Sequence, residues 1–371
     1  LFFTLSLDKD LRLPNHAIIG NWCFSYDDGW AKTSNGWFKG YNQPKINHGN
    51  YVEIVKDKSD ISIVHDQYRS FPLWWNESTV TLTNLLGNGK VICADDLVML
   101  TPDHNIKYAK QDVIGAISEN TISLDQAVEK IEQNLLSKTI DLAISYSSLP
   151  KKLFVSGGVD TLLLYALIKQ QDLPVDVINY EHIEYDWFLN NNFKEIKSQH
   201  WTYNQIHHWK DKTMLITGSC GDEYLFRGPN TIALWAAWHD IDIEKYIKKH
   251  NYYHTNYFLK EKNISVFQKF YKNKKQIQEQ FVTKVDLVQQ ILDILVNDHQ
   301  HWHIGNTLTW TPFKDLELIK IVLQLSVDDL MKQILDAKIN KMIMERLYPQ
   351  SLIYLSNSKN HKPRENLHLL K

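Results

Sequence analysis

The sequence predicts two architectures in succession: stacked antiparallel β-sheets, then an open parallel α/β sheet that passes into a helical C-terminal part. Three observations predict it. The N-terminal third carries short β-branched segments separated by Gly, Asn and Asp clusters. A helical period sets in near Thr121. Beyond it, apolar runs end in glycines and lead into helices, the pattern of a βαβ unit.

In chain order, Leu1 to Leu7 alternates as an opening strand, too short and too poor in basic flanks for a signal peptide. Tyr51 to Val55 and Ile61 to Val64 are further strands. Asp27-Asp28-Gly29 and Gly87-Asn88-Gly89 punctuate the region, and strands at this spacing build stacked antiparallel sheets. Ser123 is placed to cap a helix carrying Leu124, Ala127, Val128, Ile131, Leu135 and Leu136 at helical spacing. Lys152 to Val155 is a strand that runs into two glycines; Thr161 to Gln170 is a helix and Val175 to Tyr180 a strand. Met214 to Thr217 is a buried strand closed by Gly218. From Thr231 the chain is mostly helical, with helices over Ile277 to Val296, Leu316 to Leu325 and Val327 to Leu335, and a polar tail after Ser356. The expected division is residues 1–115 and 116–371.

Composition narrows the function classes. The chain has 371 residues, 43% hydrophobic and 23% charged, enough for a sizeable core. A net charge of -2 supplies no global field for nucleic acid or anionic lipid. Lys269, Lys272, Lys274 and Lys275 read as a solvated helix face. Cys23, Cys93 and Cys220 form no CxxC pair, which argues against a disulfide framework or zinc knuckle and fits a reducing cytoplasmic compartment. No apolar run approaches the ~20 residues of a membrane span. His207, His208, His299, His301 and His303 do not make a coherent zinc ligand set. The 12 Trp and 18 Tyr are scattered, as packing residues are.

Chemistry concentrates in two glycine-punctuated stretches. Ser156-Gly157-Gly158-Val159-Asp160-Thr161 follows a strand and opens a helix. The glycines let the backbone turn tightly, and the N–H groups at the helix start form an anion site. Ser156 and Thr161 add hydroxyls. Asp160 beside a phosphate makes sense when a cation such as Mg²⁺ bridges them. A Walker A lysine is missing, so this is a different phosphate loop. The second stretch, Thr217-Gly218-Ser219-Cys220-Gly221-Asp222-Glu223-Tyr224-Leu225-Phe226-Arg227-Gly228, also follows an apolar strand. If both strands are parallel neighbours, both loops emerge at the carboxyl edge of the sheet, and Asp160 and Asp222 share one magnesium ion. The plainer readings are a glycine turn for the first stretch and a helix cap by Asp222 and Glu223 for the second.

The first stretch resembles the SGGxDS pyrophosphate loop of the N-type ATP pyrophosphatases, and the second the GxGxDExFxGY stretch of asparagine synthetases and their relatives. Thr311 to Leu318 is similar to the family's PFxD segment. Lys338 to Pro349 and onward to Lys359 resembles its lysine-bearing C-terminal region. Val64 to Trp75 is similar to a strand pair of the family's glutaminase domain. The resemblance implies an Ntn-hydrolase-like sandwich over 1–115 and an asparagine-synthetase-like ATP-pyrophosphatase domain over 116–371. It also implies an AMP-forming amide ligase that adenylates a carboxylate with MgATP and passes it to ammonia or an amine. By motif position, Ser156, Gly157, Gly158, Thr161 and Gly218 would hold the nucleotide, and Asp160 and Asp222 would hold Mg²⁺. Lys359 would be the catalytic lysine, Lys338 or Lys341 a second phosphate-contacting lysine, and Glu223 an acid behind the metal. Homodimers are common in the family.

The pattern also departs from the family. Leu1 stands where a glutaminase of this kind has a nucleophilic cysteine, and Cys23 lies inside an expected strand. The N-terminal part then resembles the inactive domain kept by β-lactam synthetases, and the ligase is not glutamine-dependent. Ser219 replaces the asparagine synthetases' glutamate, and the β-lactam synthetases' tyrosine is absent too. How the nucleophile is deprotonated stays open. The other reading, favoured by these departures, is a catalytically silent nucleotide-binding or scaffold protein.

Overall fold

The computed structural model describes residues 3–6, 15–26, 29–43, 48–57, 60–66, 73–75, 79–81, 90–91, 96–100, 106–110, 112–155, 157–179, 211–227, 229–242, 283–298 and 307–355. It is a mixed α/β protein, with antiparallel sheets in the N-terminal region, a parallel strand pair later, and helices. The chain divides into two compact units. One is Leu1–Gly115 with Tyr203–Leu215 and Leu292–Trp310; the other is Ala116–Thr202 with Ile216–Ile291 and Thr311–Lys371.

The N-terminal strands are β1 (Phe3–Ser6), β2 (Asn15–Ile19), β3 (Trp22–Tyr26), β4 (Ala31–Lys32), β5 (Gly36–Gln43), β6 (His48–Asp57), β7 (Asp60–His65), β8 (Trp74–Trp75), β9 (Thr79–Thr81), β10 (Lys90–Val91), β11 (Asp96–Leu100) and β12 (Ile106–Lys110). They form two six-stranded sheets, ordered β10-β8-β9-β1-β3-β2 and β12-β11-β7-β6-β5-β4. Alternation explains the burial: in β7, Ile61 and Ile63 face inward while Asp60 and Ser62 are partly solvated. Leu5, Ile19, Trp22 and Phe24 from one sheet join Val52, Ile54, Ile61 and Ile63 from the other in a single apolar core. Gly36 is required by the β5–β6 pairing, since a Cβ there would lie 1.8 Å from the Ile54 carbonyl oxygen. Cys23 lies within β3, inside a strand as expected, and is fully buried.

The next helix, α1 (Leu124–Ser145), starts at a capping box. Ser123 Oγ accepts from the Gln126 N–H, and Gln126 Oε1 accepts from the Ser123 N–H. Next come β13 (Lys151–Val155), α2 (Val159–Gln170), β14 (Asp176–Asn179) and β15 (Thr213–Ile216). Strands β13 and β14 pair in parallel, Lys152 opposite Asp176 through Val155 opposite Asn179. After these the chain forms α3 (Gly221–Tyr224), α4 (Pro229–Trp238), α5 (Lys284–Asp298) and β16 (Thr307–Trp310). The last helices are α6 (Leu316–Val322), α7 (Val327–Asp336) and α8 (Lys338–Leu347), then a 3₁₀ turn over Pro349–Tyr354. The later strands are ordered β14-β13-β15-β16. Helix α2 is apolar on almost every face, so it is buried: Leu162 through Ile168 are all inside, packed against α1 and α8.

Two helices differ in extent from the pattern. The helix expected through Leu325 ends at Val322, because Gln324 and Leu325 are drawn out of it. Leu325 forms a parallel bridge with Ile122, and the Ile122 N–H donates to the Gln324 carbonyl. In the helix expected from Ile277, the described part starts at Lys284, where Thr283 Oγ1 accepts from the Asp286 N–H and Asp286 Oδ2 accepts from the Thr283 N–H. Ile277 to Phe281 lie outside the described residues. Among the described residues, no helix is long and apolar enough to cross a membrane.

Candidate functional site

Strand β13 ends at Val155, and the chain turns through Gly157 at φ +80°, in the left-handed region that glycine occupies without strain. Gly158 is the N-cap of α2 and puts Asp160 in its first turn. The Thr161 hydroxyl donates to the Gly158 carbonyl at 3.0 Å and so braces the turn from within. Ser156 lies outside the described residues.

The second loop leaves β15 at Thr217. The Thr217 hydroxyl donates to Ser219 Oγ at 3.1 Å, and the Thr311 hydroxyl holds the Ser219 carbonyl at 2.9 Å. Cys220 takes a left-handed conformation at φ +65° and leads into α3. Burial pushes its thiol up to about 12, so it is no nucleophile at neutral pH. The two loops interlock closely. A Cβ at Gly218 would lie 2.9 Å from Thr161 Cγ2, and one at Gly221 only 2.6 Å from Asp160 Cγ. Both glycines are there for that approach.

The interlock brings the two expected carboxylates, Asp160 and Asp222, onto one cation, which is a side chain. Arg227 Nη1 donates to Asp160 Oδ1 at 2.9 Å and Oδ2 at 3.1 Å, and lies 2.9 Å from Asp222 Oδ1. Asn340 Nδ2 donates to Asp160 Oδ1 at 2.9 Å. The Asp160 side chain is 15% exposed and that of Asp222 41%. Burial pushes the Asp160 carboxyl up to about 8. Arg227 opposes that rise, while Asp222 and Glu223 add to it. Desolvation therefore outweighs the one guanidinium.

Behind the second loop a buried pair fixes the segment after β16. The Lys138 ammonium contacts the Asp315 carboxylate and donates to the Pro312 carbonyl at 3.3 Å. Asp315 also accepts from Asn134 and from the Glu317 N–H, so it caps α6 as well. Burial raises the Asp315 carboxyl, but Lys138, Asn134 and the Glu317 N–H outweigh it and hold it below its usual range. This anchors Thr311, and through it Ser219.

Gly157, Gly158, Asp160, Thr161, Gly218, Asp222 and Glu223 thus lie on the two loops that meet. Lys341 pairs with Asp336 near the start of α8, and Lys338 is exposed. Lys359 lies outside the described residues, as do Cys93 and the five histidines considered above. Arg227, Asn340 and Gln333 were not singled out by motif. Arg227 sat inside the quoted second stretch without an assigned role. Asn340 carried a readable signal: a polar residue on the face of α8 otherwise made of Ile343 and Met344. No protein-family model matches the chain, and no curated protein matches it.

Proposed function

We propose that the chain is an ATP-dependent, AMP-forming amide ligase. On this reading it adenylates a substrate carboxylate and transfers the acyl group to ammonia or an amine, without glutamine. Residues 1–115 form a degenerate glutaminase-like domain of the Ntn-hydrolase kind, and 116–371 an asparagine-synthetase-like ATP-pyrophosphatase domain acting in the cytoplasm. One observation carries the reading: Asp160 and Asp222 converge on a single cation beside a left-handed glycine turn at the start of a buried helix.

The residues fit a magnesium nucleotide chemically. Mg²⁺ is held by one or two carboxylates, with phosphate and water oxygens completing its shell. Burial, with Asp222 and Glu223 adding to it, leaves Asp160 near 8, and a divalent cation bound there would oppose that rise. Bound there, the ion would neutralise charge on the transferring phosphate. The chain's own groups do the rest. Gly157 turns the backbone so that the N–H groups opening α2 meet an anion. Gly158 is exposed and keeps the approach clear of side chains. Glu223 adds negative charge behind the metal carboxylates. Lys359 and Lys341 are the lysines proposed for charge developing on phosphate and on the acyl carbon.

Arg227 favours a second reading. Its guanidinium stands between Asp160 and Asp222, where a bridging ion would sit. A protein that kept this arrangement permanently would be catalytically silent. Product analysis with MgATP, ammonium and a panel of carboxylates, run beside Asp160→Ala, separates the two. AMP and pyrophosphate from the parent chain and not from the variant support the ligase. Absence of AMP with every compound leaves the silent scaffold.

A further inference from the structure

The Asp160 carboxylate is held on its inner side by a two-amide relay. Gln333, in the last turn of α7, and Asn340, in the first turn of α8, are both fully buried. Asn340 Nδ2 donates to Asp160 Oδ1 at 2.9 Å, and Gln333 Nε2 donates to Asn340 Oδ1 at 2.8 Å. Gln333 is itself fixed at three points. Its amide nitrogen also donates to the Leu225 carbonyl at 3.1 Å, its oxygen accepts from the Ile339 N–H at 2.8 Å, and its backbone carbonyl accepts from Ala337. Ala337 has φ +51°, a left-handed conformation for a residue with a Cβ. That kink ends α7, starts α8 and turns Gln333 and Asn340 toward each other.

An asparagine side chain is symmetric in outline, and its orientation is set by what it bonds. Here Gln333 occupies the Asn340 oxygen, so the nitrogen must face Asp160. The same amide marks the two carboxylate oxygens as unlike. Oδ1 takes both Asn340 and Arg227, at 2.9 Å each; Oδ2 takes Arg227 at 3.1 Å.

We propose that Asn340, oriented by Gln333, is a positioning residue that locks Asp160 through Oδ1 and so sets the orientation in which that carboxylate would hold a metal ion at the nucleotide site. The inference rests on the magnesium-nucleotide reading above. It makes the α7–α8 junction part of the site, although neither amide meets the nucleotide.

The test is manganese binding to the full chain, followed by the electron paramagnetic resonance of free Mn²⁺, with ATP present. Asn340→Leu keeps the branched outline and removes the donor. Asn340→Ala removes the donor and adds neither charge nor bulk. Loss of such outer contacts weakens metal affinity about 10- to 100-fold. Both variants are expected in that range, with Asp160→Asn at least as weak, while ATP affinity in EDTA stays near the parent's and far-ultraviolet circular dichroism shows each variant folded. Parental Mn²⁺ affinity in both Asn340 variants overturns the inference and leaves the nucleotide reading standing. Full Mn²⁺ binding by Asp160→Asn overturns it too, since the ion then lies elsewhere. No Mn²⁺ or ATP binding by the parent chain overturns both.

Discussion

Phe24 and Asp160 both point inward, and what surrounds them differs in kind. Phe24 is fully buried, with Tyr26, Trp30 and Trp37 rings 4.7–5.2 Å from its own. The contacts among these rings are apolar and need no added ligand. Asp160 is held by one guanidinium and one amide, with Asp222 and Glu223 close enough to oppose it. The first arrangement stabilises the fold with nothing added. The second leaves a carboxyl that burial pushes well above its usual range, a kind of shift met at working sites and in structural ion-pair networks alike.

The largest expected effect tests the apolar side of that contrast. Phe24→Ala should cost about 3–5 kcal/mol, through lost burial and the cavity left behind. Urea unfolding of the variant measures it. Asp315→Ala should cost a similar ~3–5 kcal/mol, because it strands Lys138 as an uncompensated buried charge. Asp315→Leu with Lys138→Met should restore most of that loss, and a double-mutant cycle checks it. If the double variant is no better than the single one, the pair is more than a mutual neutralisation.

Gly221→Ala sharpens the contrast at the site itself. The new Cβ would sit 2.6 Å from Asp160 Cγ, so the loops must part. Overpacking of this kind costs about 1–3 kcal/mol, and MgATP affinity should fall along with the melting temperature. A variant with the parent's affinity would show that the loop contact does not place Asp160.

The raised Asp160 carboxyl has a pH signature. The folded Asp160 carboxyl stands at about 8, with burial as the main cause and Arg227 opposing it, while the unfolded chain titrates near ~3.9. Between those values the folded state holds one more proton than the unfolded state, so this group makes stability fall as pH rises from about 4 to about 8. Asp160→Asn removes the slope. The variant's stability relative to the parent should therefore grow across that window in EDTA, measured by denaturant titration at each pH. The smallest effect belongs to the surface: breaking the half-exposed Lys332–Asp329 pair with Lys332→Ala should change stability by less than about 0.5 kcal/mol.

Local signals in the sequence placed much of this. Ser123 with Gln126 three residues on marked the start of α1, and the apolar run into Gly157 and Gly158 marked the strand–turn–helix that carries Asp160. Those signals are short-range and depend on neighbours in the chain. The end of α6 was not legible, because Leu325 is withdrawn by Ile122, some two hundred residues earlier. Arg227 and Asn340 were missed for the same reason. Arg227 lies 67 positions and Asn340 180 positions from the carboxylate they hold, and only the folded packing of α2 against α8 and of the two loops reveals the partnership. The spacing of Asn340 with Ile343 and Met344 puts a polar residue on an apolar helix face, but says nothing of what it meets.

The most direct test of the central claim is calorimetric titration of the full chain with ATP, in magnesium and then in EDTA, beside Asp160→Ala. The account predicts saturable binding in magnesium that weakens sharply in EDTA and is lost in the variant. Equal ATP binding by parent and variant in magnesium, or no binding by either, would contradict it, because the convergence of Asp160 and Asp222 would then have no nucleotide-bound cation to serve.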